Sequence, residues 1–356
     1  MMISAMMTDL RITFLGCWAT LALAGCSMSD PVGLSEPEIV SAALTDPAGN
    51  PASQQGGHKQ DRAALTALYE ATGGANWTRN DNWLTDAPLS DWYGVYTDGQ
   101  DRVTGLYLIR NNLTGSIPPE LANLASLTTL VLRSAALTGK IPGELGNLAS
   151  LRGLDLYDNR LRGRIPPTLG NLANLEILNL GRNRLQGAIP SALGGLASLT
   201  TLDLRDNRLR RKIPPTLGNL SSLKWLYLSR NRIQGKIPAE IGKLDGLTSL
   251  ILIGNQLAGA VPPEIGNLSD LESLRLDGNM LSGKLPSEIG KLVDLRWLGL
   301  GRNELSGPLP TSMLELDQLE GFGFRENAGL CSPATDAFVA WRENIKNVWG
   351  PTCGES

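Results

Sequence analysis

Few residues of this chain have the type and spacing that chemistry requires. Asp155 and Asp158 recur 48 residues later as Asp203 and Asp206, and a pair of carboxylates is the equipment of glycoside hydrolysis. They are interleaved with Arg182, Arg205 and Arg230. That alternation predicts an open surface on which solvent keeps every acid ionised, not a pocket that sets one carboxyl up as a proton donor. The single histidine, His58, removes every site that needs two, His-rich zinc sites among them. No glycine-rich phosphate loop and no nucleophile elbow is present. The expectation is a chain without a catalytic centre, a metal or a cofactor.

The four cysteines point elsewhere. Residues 1–25 have a short polar start ending at Arg11 and an apolar run from Ile12 to Ala24, the pattern of an export signal. As a helix that run covers roughly 20 Å, short of the roughly 30 Å of a bilayer core. The residues Leu23-Ala24-Gly25-Cys26 resemble the lipobox of bacterial lipoproteins. The resemblance implies that Cys26 is acylated and becomes the first mature residue, while Cys17 leaves with the signal. Ser27 stands where such lipoproteins carry an aspartate for inner-membrane retention, which implies an outer-membrane or cell-surface location. Cys331 and Cys353 then remain as one pair in an exported chain, where a disulfide is the expected outcome. Residues 26–57 are rich in Ser, Pro, Ala and Gly without sustained periodicity and read as a flexible tether.

The elements behind these residues follow from composition and repetition. Lys and Arg total 32 against 35 Asp and Glu, so the net charge of −3 argues against a polybasic nucleic-acid binder. Glycine is in excess, at 40 of 356 residues. From Leu106 onward the sequence repeats every 24 residues without insertion, with starts from Leu106 to Leu298 and a truncated unit at Phe322. A fixed period of this size predicts a solenoid, in which each unit buries its apolar face only against its neighbours. In the unit from Leu154 to Ile177, Leu154 and Leu156 alternate with Asp155 and Tyr157, the period of a strand with one buried face. Asn159 recurs in a column from Asn111 to Asn327, interrupted only at Ala135. A stack of buried amides can satisfy the backbone groups exposed where each strand turns away. Two glycine columns, one through Gly163 and one through Gly170, read as bends; Arg211 interrupts the first. Arg208, Arg210, Arg211 and Lys212 read as a solvated convex edge.

The pattern LxxLxLxxNxLxGxIPxxLGNL resembles plant-type leucine-rich repeats, as in receptor ectodomains and polygalacturonase-inhibiting proteins. The likeness covers residues 106–329 and implies an α/β solenoid: a right-handed superhelix of about ten 24-residue repeats, with a parallel sheet on its concave side that binds partners. Ten strands at about 4.8 Å make a sheet of roughly 45 Å. Residues 58–105, with a helix over 61–71, three tryptophans and Tyr93-Gly94-Val95, resemble the N-terminal cap of the same family without its cysteine pair. Residues 330–356 read as a C-terminal cap, with Ser332-Pro333 at a helix start and Cys331 bonded to Cys353.

Alternation along each strand then gives the residues that face the concave side. They include Tyr157, Asp203, Arg205, Trp225, Tyr227, Arg230, Ile251, Ile253, Arg275 and Trp297. Trp225 and Tyr227, with Ile251 and Ile253 beside them, form an aromatic and aliphatic patch flanked by charge, the composition of an interaction hot spot. The expected function is non-enzymatic: a surface-anchored protein, held to the membrane by its N-terminal lipid, that binds an extracellular protein or glycan and not nucleic acid. If the array is only a spacer, the alternative is an envelope structural or adhesion protein.

Overall fold

The computed structural model describes residues 54–354. The expected signal segment, Cys26 and most of the tether lie outside the described residues. A helix starts at Gln54, inside the segment read as tether, and runs to Ala71. Beyond it the chain climbs in regular turns. Each unit contributes a three-residue strand such as Gly153–Asp155, Thr201–Asp203 or Trp225–Tyr227, and consecutive strands pair in parallel one repeat apart, Leu202 opposite Leu226 and Leu226 opposite Leu250. The resulting sheet has twelve strands. It exceeds the ten repeats because each cap adds one. Val95–Thr97 pairs antiparallel with Val103–Tyr107 at one edge, and Asn347–Trp349 pairs with Gly321–Gly323 at the other. The edge strands are therefore cap strands of three residues each, and short edge strands are one way a sheet blunts edge-to-edge association.

The returning arm of each unit is a short 3-10 turn entered through a proline, as in Pro167–Asn171 after Pro166. Leu154, Leu156, Leu161, Ile165, Leu169, Leu172 and Leu175 are all buried, so one unit spends seven aliphatic side chains on a core it shares with the units above and below. The two glycine columns do different jobs. Gly187 has φ +88° and turns the chain in the left-handed region that L side chains avoid. Gly170 does not mark a bend. A Cβ there would lie 2.5 Å from the Ala192 carbonyl oxygen, so this column lets neighbouring 3-10 turns close up.

Between strand and returning arm lies a second, seven-stranded parallel sheet, made of segments such as Arg184–Gly187, Arg208–Arg211 and Arg232–Gly235. The residues read as a convex edge belong to this lateral sheet instead. The reason is local: Arg208 and Arg210 flank buried Leu209, a period of two that pleats the segment and aims these two arginines outward, while Arg211 leaves the pleat at φ 75°. The asparagine column ties the two sheets together. Asn207 Oδ1 accepts the Leu185 N–H of the preceding lateral strand at 2.9 Å, and its Nδ2 donates to the carbonyls of Leu180 and Leu204 at the ends of two concave strands. Asn111, the first rung, bonds instead to both backbone groups of Arg79 in the N-terminal cap.

That cap rests on stacked aromatics. Trp83 packs 4.7 Å from Trp77 and 5.0 Å from Trp92, with Tyr69 alongside. Buried Asp61 accepts from Arg102 Nε at 2.8 Å and from the Val103 N–H at 3.0 Å, which fixes the helix to the first repeat strand. At the other end the helix is Asp336–Glu343, with Thr335 at its N-cap. Ser332 and Pro333 do not start it, because Ser332 is bridged to Thr352 and its backbone bonds to Pro351 and Cys353. The disulfide Cys331–Cys353 staples this segment, and closing a loop of that length stabilises by about 3 kcal/mol in the chain-entropy model.

Candidate functional site: the concave face

Three rows of side chains rise from the concave sheet, one before, one between and one after the two strand leucines. At the N-terminal half the rows carry charge. Asp203 lies 2.9 Å from Arg205 Nε and also accepts the Arg205 N–H at 3.0 Å. Asp155 accepts the Tyr157 N–H at 2.9 Å, with the Arg133 guanidinium 3.7 Å away. The Tyr157 ring leans over Gly181 and is flanked by Arg133 and Arg205 at 5.7 and 5.5 Å from its centroid; Arg205 also lies 5.6 Å from the Tyr227 ring. These are cation–π distances, and they lock tyrosine and arginine into one alternating stack.

This stack corrects two expectations. Asp155 and Asp203 are not solvated: each is 1% exposed. Burial pushes both carboxyls up to about 6, against the lowering effect of the backbone N–H and nearby arginine on each. Second, Tyr227 and Arg205 are 4% and 8% exposed, so neither projects from the face. Inward curvature crowds the concave rows, and alternation gives the side of a strand without giving its depth. Raised carboxyls are what acid catalysis uses, but sealed ones offer a substrate no approach.

At the rim the pattern changes. Asp158, Arg182, Asp206 and Arg230 occupy successive left-handed positions, φ 48° to 56°. They pair one repeat apart, Arg182 with Asp158 at 3.8 Å and Arg230 with Asp206 at 3.5 Å. These pairs are exposed enough for water to screen them to a fraction of a kcal/mol each.

The C-terminal half is the accessible part. Trp225 pairs with Ser249, Ser249 with Ser273 and Ser273 with Trp297. Two indoles thus stand three strands apart, about 14 Å, with two serines as the floor between them. The Trp297 ring leans over Gly321, away from the serines; Ser249 is buried and Ser273 half-buried between the two tryptophan strands. In the next row Ile251 is half-buried, followed by Arg275, which pairs with Asp277 at 3.2 Å; Ile253 is half-buried beside Asp277. Of the residues expected to face the concave side, Trp225, Ile251, Ile253, Arg275 and Trp297 are brought together around this row. Arg230 lies at the rim of the Trp225 repeat, its N–H bonded to the Ile253 carbonyl at 2.7 Å; Tyr157 lies toward the other half, and Asp203, Arg205 and Tyr227 lie beneath the surface. The serine floor escaped sequence reading, although two serines at the tryptophan position of intervening repeats were its signal.

A family model described as a leucine-rich repeat region matches residues 168–277. The chain belongs to the leucine-rich repeat proteins. A shorter model described as a Leucine Rich Repeat matches residues 102–124, 150–172 and 270–292. Among solved structures, this leucine-rich repeat protein is similar to the ectodomain of the Arabidopsis thaliana membrane receptor kinase GASSHO1/SCHENGEN3 in complex with CASPARIAN STRIP INTEGRITY FACTOR 2. The identity is 35% and the TM-score 0.73, over 78% of this chain and 34% of that one. The chain therefore spans about a third of that ectodomain. A plant ice-binding protein is 30% identical with a TM-score of 0.70, over 84% of this chain and 98% of that one. A leucine-rich repeat protein of Leptospira interrogans is 35% identical with a TM-score of 0.59, over 70% of this chain and 61% of that one. No curated protein matches the chain. The fold is thus shared by plant receptor ectodomains and an ice-binding protein alike.

Proposed function

We propose that this leucine-rich repeat protein is exported, is held at a bacterial surface by acylation of Cys26, and captures an extracellular protein between Trp225 and Trp297 without catalysing a reaction. The carrying observation is the row itself: two half-buried tryptophans on strands about 14 Å apart, with two serines at the same register between them and aliphatic Ile251 and charged Arg275 in the neighbouring row. An extended protein segment fits such a site, because aromatic anchors at the ends supply affinity and the charged pair beside the floor sets register. The plant receptor ectodomain with a partner bound supports the reading by likeness of fold, and the Leptospira neighbour supports a bacterial setting. The buried state of Asp155 and Asp203 supports a structural role for them.

The test is capture of surface proteins from the native host by the intact protein and by a Trp225→Ala/Trp297→Ala variant. Loss of a specific partner by about tenfold or more is expected. Equal capture by both removes the row from the reading and favours the spacer alternative. For the anchor, Cys26→Ser is expected to move the protein from the membrane fraction to the soluble one; wild type already in the soluble fraction contradicts it.

A further inference from the structure

The lateral sheet carries a charge pattern that the concave site does not use. In the five successive segments 160–164, 184–188, 208–212, 232–236 and 256–260 there are ten basic residues, eight of them arginine, and no acid. All ten are exposed. Among the described residues none of the ten reaches a carboxylate; the paired arginines, such as Arg182 and Arg230, lie on the concave side. Strand register makes the crowding worse: Arg162 sits directly opposite Arg184 and Arg210 opposite Arg232, and like charges facing each other across a strand pair destabilise it. A third basic column leans onto the same face. The stems of Arg164, Lys212 and Lys236 lie over Gly187, Gly235 and Gly259 of the next repeat.

Arg211 adds a second line of argument. It stands in the glycine column at φ 75°, where an L side chain costs about 1–2 kcal/mol. The chain accepts strain there to place one more cation, at the edge of a shallow depression lined by Arg211, Lys212, Pro214, Gln234 and Gly235. Strain and like-charge crowding on one face of a protein whose net charge is −3 are both offset by an anionic ligand.

We infer that this lateral sheet binds a linear acidic polysaccharide laid across the strands. The strands recur at about 4.8 Å, a pitch close to one sugar of an extended uronic-acid chain, so the carboxylates on one side of that ribbon, on every second sugar, meet every second repeat. Arginine's planar fork accepts a carboxylate on two bonds, which suits the arginine excess. The five segments hold no aromatic residue, so unpaired bases find nothing to stack on, and that disfavours single-stranded nucleic acid.

The experiment measures binding of the folded protein to alginate as the polyuronate probe, with neutral dextran, duplex DNA and phosphatidylglycerol vesicles as competitors. Alginate binding that weakens steeply with salt is expected. The variant Arg162→Gln/Arg210→Gln/Arg211→Gly/Arg232→Gln is expected to lose about tenfold or more while retaining its circular dichroism spectrum, since Arg211→Gly restores the residue of the column. The concave variant Trp225→Ala/Trp297→Ala is expected to bind alginate like wild type, which separates this inference from the concave row. No alginate binding, an unaffected lateral variant, or tighter capture of DNA or vesicles than of alginate overturns it.

Discussion

The two sheets of this solenoid handle arginine in opposite ways. On the concave side several arginines have an acidic partner: Arg205 holds Asp203 beneath the surface, and Arg182 and Arg230 reach back one repeat to an aspartate. On the lateral side arginines face arginines. Both arrangements come from the same 24-residue period, because stacking identical positions in parallel multiplies whatever a column contains. A column that alternates sign becomes a self-neutralising ladder, and a column of one sign becomes a stripe of potential. The repeat fixes the geometry, and the variable positions choose between an internally satisfied surface and one that awaits a counter-ion.

The sharpest test of that contrast is removal of one concave partner. Asp203→Ala leaves Arg205 buried without its carboxylate, and a loss of about 3–5 kcal/mol is expected in chemical unfolding; a loss below about 1 kcal/mol would mean that the concave charges do not depend on one another. Next comes the tie between the sheets. Asn207→Ala strands the Leu185 N–H and two carbonyls, with an expected cost of about 2–4 kcal/mol and faster amide exchange in both sheets around the lesion.

Acidity probes the concave side. The Asp155 and Asp203 carboxyls lie near 6 in the folded state, against 3.8 for the free side chain. A raised acid binds its proton more readily when folded, so these groups penalise the fold above pH 6 and the penalty fades as pH falls toward 4. Between pH 7 and pH 5 wild type should gain about 1–2 kcal/mol relative to Asp155→Asn. Parallel pH profiles for the two proteins would refute the burial argument. The smallest effect belongs to the lateral sheet, where Arg210→Glu turns a repelling pair with Arg232 into an attracting one and should stabilise by about 0.2–1 kcal/mol, less so as salt is raised.

Periodicity made the columns legible from sequence alone: the core leucines and the asparagine ladder follow from residue type and spacing. Depth did not. Alternation placed Trp225 and Tyr227 on the same side of one strand, yet Trp225 is half-buried and Tyr227 nearly sealed, because neighbouring repeats converge on the inside of a curve. The lateral sheet was hidden for another reason. Its segments run only two to four residues, too short for a period of two to stand out, and a glycine at the end of most of them reads as a turn. Ser332 likewise looks like a helix cap until the strand beside the disulfide claims its backbone.

The two cap strands have one more consequence. Since Val95–Thr97 and Asn347–Trp349 occupy the sheet edges, nothing at either end depends on how many turns lie between them. Length is then an adjustable dimension of the molecule: duplicating a unit such as 226–249 adds about 4.8 Å of sheet and leaves both termini as they are. Such a duplication moves Trp297 one step further from Trp225 while adding another Arg-bearing rung at the side, so a single insertion lengthens the gauge between two indoles and the track of cations together.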